Sequence, residues 1–276
     1  MSIKKGDIVA RISYGKDIIF VVDKIIKSKN ENIAILNGLT IRITADAPIS
    51  ELEYVDKKKI ETSVRSIDER IKKRAENSIL YGSNRASVRK LEQDSKKIYT
   101  GKILHLDGDK RYSDKSVKYY KQLGLDAVVK NIPEYKQAYY VRNLLEQYKP
   151  DILIITGHDS MIKKGAEYNN IYNYRNSRHF ANAVREARKW GETSDKLVIF
   201  AGACQSYFEE LMIAGADFAS SPGRILIDFV DPIIVAEKVA KTDINRYVTI
   251  TQIVEDLKEG RDGIGGTGVK GKKYYL

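Results

Sequence analysis

The sequence predicts an α/β protein with a mostly parallel sheet flanked by helices, preceded by a small β-barrel of the SH3-like kind. Two apolar runs support the parallel sheet, Ile152–Ile155 and Leu197–Ala201. Each is too short for a helix and contains β-branched residues, which is typical of strands buried on both faces. From residue 101 onward, strand-like runs alternate with helix-length amphipathic segments. This alternation indicates parallel strands joined by right-handed crossovers.

Three regions follow from the pattern along the chain. Residues 1–55 contain short apolar runs separated by polar turns, which predicts the small β-barrel domain. Within it, Asn37-Gly38 before the alternating run Leu39 to Thr44 indicates a type I′ hairpin. Residues 56–100 are charged and only weakly periodic, and we predict a partly helical connector. Residues 101–276 form the predicted α/β domain.

Within the α/β domain we predict an ordered series of elements. Ser113 or Asp114 is the predicted cap of the first helix, and residues 263–268 are predicted to be a glycine-rich tail. The predicted strands are 103–107, 126–129, 152–155, 197–201, 216–221 and 224–227. The predicted helices are 114–123, 133–149, 178–190, 206–213, 231–240 and 251–259.

The composition limits the class of protein. The chain has 276 residues, of which 42% are hydrophobic, so it can form a substantial core. It contains no run of about 20 apolar residues and no apolar signal core near Met1, so we expect a soluble cytoplasmic protein without a membrane partner. Its one cysteine excludes a disulfide within the chain. His and Cys are not clustered at ligand spacing, so we expect neither a metal nor an organic cofactor.

The net charge of +11 favours anionic partners. However, the densest basic stretch, residues 57–97, also carries many Asp and Glu residues. A mixed stretch of this kind is usually a solvated helix face. Nucleic-acid binding is therefore an unlikely main function.

A thiol and an imidazole follow the two apolar runs. His158 comes after the first run and Cys204 after the second. In open α/β sheets the functional groups lie at the carboxyl ends of the strands. The imidazole could take the proton of the thiol and return it to a leaving amine, and the Cys204 N–H could face an oxyanion. Gly157 would allow substrate backbone to approach closely.

Each residue also has a simpler explanation. A lone cysteine after a buried strand is most often a small core residue, and a histidine at a strand end is often structural. The matching strand-end positions of His158 and Cys204 favour catalysis, provided that both face one water-accessible cleft. His105 lies inside a strand and His179 inside a helix, so we interpret both as structural.

The two motifs Gly157-His158 and Ala203-Cys204 make the chain similar to the caspase-like cysteine peptidases. Together with the opening Lys5-Gly6-Asp7, they make most of the chain resemble the YabG sporulation peptidase family. The resemblance implies a cysteine peptidase with Cys204 as nucleophile and His158 as acid and base. It further implies cleavage after arginine in spore coat and cortex-associated proteins, within the mother cell or at the spore coat.

The resemblance leaves several residues to be assigned. Caspase-like enzymes usually have glycine after the histidine, whereas this chain has Asp159, which could serve the oxyanion hole through its N–H, orient His158 or contact substrate. Specificity for arginine requires a carboxylate in the pocket. The resemblance implies that this acid follows the first strand of the domain, where Asp109 and Asp114 are the candidates and Asp107 is less favoured. Ser220 and Ser221 are candidates for the pocket wall. The arginines between Arg65 and Arg89 are candidate sites of self-cleavage.

Two other functions stay open. The chain could be a non-proteolytic thiol amidohydrolase, although such enzymes usually place the nucleophile before the histidine in a Gly-x-Cys-x-Gly turn. It could also be a binding module for coat protein or nucleic acid with an inert α/β domain. Loss of function in a Cys204→Ala variant separates the enzymes from the binding module.

Overall fold

Two large sheets organise the molecule, one in the N-terminal part and one in the remainder. The computed structural model describes residues 3–27, 31–88, 98–162, 167–190 and 196–275, with the side chains of all of these except 78–88. No helix in these ranges has the length and apolar character needed to cross a membrane.

The N-terminal sheet is antiparallel and has five strands in the order β4-β3-β2-β1-β5. Its strands are β1 Ile8–Arg11, β2 Phe20–Lys27, β3 Asn32–Gly38, β4 Thr44–Pro48 and β5 Leu52–Tyr54. β4 and β5 lie at opposite edges of this order and do not pair within the described residues, so the sheet is open. The β-strand content of this region is as expected, but the SH3-like barrel is not confirmed.

The predicted type I′ turn at Asn37-Gly38 is wrong, although β3 and β4 do form an antiparallel hairpin in which Asn37 pairs with Thr44. β3 ends at Gly38, and residues 39–43 form a longer loop before β4 begins at Thr44. In this loop Ile41 pairs with Asp228 and Ile43 with Asp159, both in the α/β domain. The alternating run was expected to be a strand, but it bends at residues 39, 40 and 42.

The charged region that follows is more regular than predicted. A single helix, α1, spans Lys57–Val88, whereas the sequence indicated a helix start near Ser66. Ile67 and Ile71 are buried against the core, and Arg70 and Arg74 form ion pairs with acids of the α/β domain. Arg89, one end of the range considered for self-cleavage, lies outside the described residues.

The second sheet has six strands in the order β13-β11-β10-β9-β7-β8, all parallel except the edge strand β13. Its strands are β7 Ile103–Asp107, β8 Ala127–Asn131, β9 Ile152–Thr156, β10 Val198–Ala201, β11 Phe218–Ser220 and β13 Ile264–Gly266. This confirms the mostly parallel sheet and makes β9 and β10, the strands that precede His158 and Cys204, direct neighbours.

Helices cover both faces of this sheet. They are α2 Lys110–Gln122, α3 Glu134–Tyr148, α4 Ser177–Arg188, α5 Phe208–Ile213, α6 Asp231–Lys241, α7 Ile250–Val254 and α8 Gly260–Gly263. Two-residue strands complete the fold, pairing β12 Tyr247–Val248 with β14 Val269–Lys270 and β6 Ile98–Tyr99 with β15 Tyr274–Tyr275.

All five positions of β9 are buried, with Ile152 and Ile154 in one hydrophobic cluster and Leu153 and Ile155 in the other.

Three predicted elements differ in the structure. Residues 224–227 form no strand, because their main chain bonds the turn after β10 and residues 40–42 instead. The predicted helix 251–259 is helical only to Val254, as α7, and α8 begins after it at Gly260. The glycine-rich segment contains β13, where Gly265 and Gly266 let the strand pack closely against Phe208 and Phe218.

Candidate active site

The turns that carry His158 and Cys204 follow neighbouring strands and are bonded to each other. The Ser206 hydroxyl donates to Asp159 Oδ2 over 2.9 Å, and the Thr156 hydroxyl donates to the Gly202 carbonyl over 2.7 Å. Gly202 has φ +109°, and a Cβ there would lie 2.4 Å from the Ser220 hydroxyl. Only glycine fits at this position, so the small residues before Cys204 are required by the turn itself.

His158 has one bonded and one unbonded ring nitrogen. Its Nε2 lies 2.8 Å from Asp109 Oδ2, while Nδ1 is buried without a hydrogen-bond partner. Tyr112 packs against the ring at a centroid distance of 5.1 Å. A carboxylate on Nε2 stabilises the tautomer that keeps the proton there, which leaves the Nδ1 lone pair free to accept another proton.

Asp109 is held from two directions. Its Oδ1 accepts from the Arg111 N–H over 2.7 Å, which caps α2, and its Oδ2 also pairs with the Arg111 guanidinium. Burial alone would raise the pKa of Asp109, but the bonds from His158 and Arg111 hold that pKa well below its usual range. Asp109 is therefore ionised and fixed beside the imidazole. The cap of α2 is Asp109, not Ser113 or Asp114.

Cys204 is fully buried, and burial raises the pKa of its thiol above the ordinary value. The sulfur accepts from the Ile227 N–H over 3.2 Å. His158 is also buried, with 3% of its surface exposed. The water-accessible cleft expected from the sequence is thus closed in this structure, because residues 40–44 of the N-terminal region lie over it.

The covering segment is bound by its main chain. The Arg42 carbonyl oxygen accepts from two N–H groups, those of Asp159 and Cys204, each over 3.1 Å. The Arg42 N–H donates to the Ile227 carbonyl over 3.3 Å, and the Phe229 N–H donates to the Thr40 carbonyl over 3.1 Å. Residues 40–42 therefore pair with residues 227–229 through one antiparallel bridge, a short form of the way extended peptides commonly bind. The chain then turns, because the Ile43 N–H donates to the Ile41 carbonyl over 3.0 Å.

The Arg42 side chain fills a closed polar pocket. Its Nη1 bonds Asp107 Oδ2 over 2.9 Å and the Gly157 carbonyl over 3.3 Å, and its Nη2 bonds the Phe229 carbonyl over 2.8 Å. The Tyr112 ring lies 5.1 Å from the guanidinium. Burial would raise the pKa of Asp107, but Arg42 and His105 keep that pKa below its usual value. The pocket thus matches a guanidinium in charge and hydrogen bonding.

Asp159 uses its side chain within the protein. Its Oδ1 accepts from the N–H groups of Ser160 and Asn176, and its Oδ2 accepts from the hydroxyls of Ser177 and Ser206. Burial raises the pKa of this carboxyl despite those bonds. The carboxylate therefore holds the strand-end turns together, while the N–H of the same residue faces the Arg42 oxygen.

Gly157 makes room for an acid. A Cβ at Gly157 would lie 2.2 Å from Glu134 Oε1, and that oxygen accepts from the His158 N–H over 2.9 Å. Burial raises the pKa of Glu134. The carbonyl of Gly157 contacts the Arg42 guanidinium, so this glycine contributes to both the histidine turn and the arginine pocket.

The other residues singled out from the sequence lie further from Arg42. Asp114 is exposed and pairs with Lys110 on the same helix. The Ser220 hydroxyl donates to the Ala203 carbonyl and the Ser221 hydroxyl to the Ile225 carbonyl, so both support the wall behind Cys204. His105 is buried and bonds the Tyr120 hydroxyl over 3.0 Å.

Sequence reasoning missed Arg42, Tyr112 and Glu134. Arg42 carried no usable signal, because it occupies a polar position of the alternating run, where an exposed charge is expected. Tyr112 donates to the carbonyls of Gly38 and Ile41 and so fixes the covering segment, a role that no local pattern indicates. Within the described ranges, no three His, Cys, Asp or Glu side chains are grouped to hold a metal ion.

A groove that binds an extended segment by its main chain, beside paired N–H donors and a buried imidazole, is the kind of site found in α/β peptidases. Comparison with known proteins agrees with that class. The YabG peptidase U57 family profile matches residues 4–275, and the chain belongs to this family. It is 36% identical over 281 residues to the sporulation-specific protease YabG of Bacillus subtilis, covering 98% of this chain and 96% of that protein.

Proposed function

We propose that this peptidase is a cysteine endopeptidase that cleaves after arginine, with Cys204 as nucleophile and His158 as general base and acid. The observation that carries the proposal is the position of Arg42. Its carbonyl oxygen lies 3.1 Å from two N–H donors, those of Asp159 and Cys204, and its guanidinium bonds Asp107. Donors at this distance suit the oxyanion of an acyl-transfer intermediate.

The roles follow from the atoms available. His158 Nδ1 and the Cys204 thiol share no hydrogen bond in this structure, so a shift of one of the two side chains must first bring them together. Nδ1 then takes the proton of the thiol, and the sulfur attacks the carbonyl carbon of the substrate arginine. The N–H groups of Cys204 and Asp159 stabilise the oxyanion. The amine leaves with the proton from His158, and a water molecule then hydrolyses the thioester. Asp109 acts through His158 as a positioning residue.

The burial of the thiol has a consequence for this chemistry. In the covered site the raised pKa of Cys204 favours the neutral thiol, which is a poor nucleophile. Proton transfer to His158 must therefore accompany attack by the sulfur, or residues 40–44 must first move away from the site. Either route makes the imidazole essential.

Arginine preference is supported by the chemistry of the pocket. Asp107 supplies a buried carboxylate, while the carbonyls of Gly157 and Phe229 accept from the remaining N–H groups. A lysine ammonium lacks the planar fork that reaches all three acceptors at once. Among the acids considered from the sequence, this favours Asp107 for reading arginine and Asp109 for orienting His158. The side chain of Arg42 makes no hydrogen bond with Asp114, Ser220 or Ser221 among the described residues.

The family and the sporulation-specific relative support a protease role in sporulation. We propose spore coat and cortex-associated proteins as substrates, acted on in the mother cell or at the coat. Such proteins would present arginines in extended, accessible segments, because the site binds its segment as a strand.

The test is hydrolysis of peptides of the form X-Arg-Y and X-Lys-Y, followed by mass spectrometry of the cut ends. We expect cleavage after arginine by the parent and none by Cys204→Ala or His158→Ala, with His179→Ala as the matched histidine control. Asp107→Asn should lower kcat/KM for the arginine peptide about a hundredfold or more. Undiminished hydrolysis by a folded Cys204→Ala protein would overturn the proposal.

A further inference from the structure

Residues 40–44 are bound as a substrate would be, although they belong to the same chain. Resting on the proposed function, we infer that this segment is an internal substrate and that the protein cuts its own Arg42–Ile43 peptide bond. Before the cut the segment closes the site. The sequence pointed to the arginines of residues 65–89 instead, so this assignment rests on the structure.

The main chain of the segment has the hydrogen-bond donors that the oxyanion of a scissile bond requires. The carbonyl that would be attacked is the Arg42 carbonyl, and it already accepts from the N–H groups of Asp159 and Cys204. Thr44, on the far side of the bond, donates its N–H to the Asp159 carbonyl over 3.3 Å. Both sides of the bond are therefore held, with the carbonyl directed at the donors.

The side chain of Arg42 is equally well bound. It is fully buried, as is its partner Asp107, and its hydrogen bonds go to Asp107, Gly157 and Phe229 of the α/β domain. An arginine buried with one carboxylate and two carbonyls is a costly arrangement unless each donor is satisfied. Ordinary packing of the N-terminal sheet does not require it, because Arg42 lies between β3 and β4 rather than within either strand.

The other arginines in the described part of the chain that were considered for self-cleavage lack these features. Arg65 has 80% of its side chain exposed and pairs with Glu69 one helical turn away. Arg70 and Arg74 are bonded to acids of the α/β domain. These three residues and Arg85 lie within the helix α1, whose main-chain groups are bonded within the helix and so cannot pair with the site as those of Arg42 do.

The reaction is a single hydrolysis. The Cys204 sulfur forms a bond to the Arg42 carbonyl carbon, and its proton passes to His158. The bond between that carbon and the Ile43 nitrogen breaks, and the nitrogen leaves as an amine with the proton from His158. Water then replaces sulfur on the carbon, which restores the thiol and leaves Arg42 with a carboxylate. One water molecule is consumed, and no other reactant is needed.

The experiment follows the intact mass of the purified full-length protein with time, beside its hydrolysis of an arginine peptide. We expect two products, residues 1–42 and residues 43–276, with Ile43 as the new N-terminus. Because the segment already lies in its own site, the first-order rate should not change over a hundredfold range of protein concentration. Cys204→Ala protein should stay at 31.3 kDa.

Two variants make the assignment specific. Arg42→Lys keeps the positive charge but not the fork, so we expect the cut to slow at least tenfold, while the melting temperature shows whether the protein remains folded. Arg65→Lys is the matched control on α1 and should be cut like the parent. If the parent protein is cut at another bond while the Arg42–Ile43 bond stays intact, the inference is wrong.

The outcomes separate this inference from the proposed function. A parent protein that hydrolyses the arginine peptide but keeps residues 42 and 43 joined overturns the inference alone. A cut whose rate rises with protein concentration overturns it as well, because one molecule would then cut another. If neither the peptide nor the chain is cut by folded protein, the proposed function fails and the inference fails with it.

Discussion

Two acids that are separated by one residue serve different groups. Asp107 is the last residue of β7 and bonds the Arg42 guanidinium. Asp109 caps α2 and bonds His158 Nε2. The Asp109 N–H in turn donates to Asp107 Oδ1 over 2.9 Å, so each acid helps to fix the other. One strand-to-helix turn thus connects the proposed arginine pocket to the proposed general base.

Replacing Asp109 with asparagine tests its role as a positioning residue. Asparagine caps a helix as well as aspartate does, so α2 should remain intact, but an amide no longer fixes the proton on His158 Nε2. We expect kcat for an arginine peptide to fall by roughly 10²–10⁴, with KM nearly unchanged and the acidic limb of the pH–rate profile displaced. The measurement is steady-state kinetics across pH with thermal melting as the check of folding.

The matched comparison is Asp114→Asn on the same helix. Asp114 is exposed and contacts Lys110 alone among the described side chains, so its kinetics should equal those of the parent. A folded Asp109→Asn protein with parental kcat would show that the carboxylate does not orient the imidazole.

Sequence reasoning was strongest for residues whose position follows from a strand. His158 and Cys204 follow β9 and β10, and parallel pairing of those strands sets their turns side by side. No comparable rule predicts where a side chain points within a turn. The sequence therefore could not show which of Asp107 and Asp109 contacts the arginine and which contacts His158. Arg42 lies 65 residues before Asp107, and no local pattern reports a contact at that distance.

At the scale of the element, the same distinction holds. The helices α3, α4 and α6 were predicted because their apolar spacing and prolines are local signals. The run from Leu39 to Thr44 was expected to be a strand, but it bends at residues 39, 40 and 42 and forms the loop between β3 and β4. Alternation favours an extended backbone, but it does not report the contacts with residues 159, 204 and 227–229 that hold this loop.

The start of α6 carries a titratable group with a consequence for stability. Burial, together with the negative charge of Asp228, raises the pKa of Asp231 to about 7, against the opposing effect of Arg70 and Arg42. An unfolded chain releases this proton near pH 3.8. Between these two values the folded state binds more protons, so its free energy of unfolding falls as the pH rises and the loss is complete above about pH 7.

Asp231→Asn should remove that dependence. In a Cys204→Ala background, which keeps the chain intact on our proposal, we expect the variant and its parent to be similarly stable at pH 4. At pH 8 the variant should be more stable by on the order of a few kcal/mol. Urea unfolding at both pH values measures the difference, with the exposed Asp126→Asn as control. A variant that is less stable than its parent at pH 8 would show that the Asp231 carboxylate is held ionised.

At the scale of the whole molecule, the N-terminal sheet and the α/β domain are joined through the proposed active site. Tyr112 bonds Gly38 and Ile41, and residues 41 and 43 pair with residues 228 and 159. A shared hydrophobic cluster includes Val9 and Leu36 of the N-terminal sheet as well as Phe229 and Ile233 of the α/β domain. The N-terminal region therefore belongs to the site and is more than an appended module.

The strand order predicts how the two products of the proposed self-cleavage behave. Residues 1–42 contain β1, β2 and β3, whereas β4 and β5 belong to residues 43–276. In the sheet the three strands lie between β4 and β5, so main-chain ladders on both sides hold the smaller product. We expect the cut protein to remain one particle in native mass spectrometry and gel filtration, and to separate into two chains only in denaturant. The intact Cys204→Ala protein is the control for elution volume. Release of residues 1–42 under native conditions, without denaturant, would show that the covalent bond at Arg42–Ile43 is what keeps the N-terminal sheet in place.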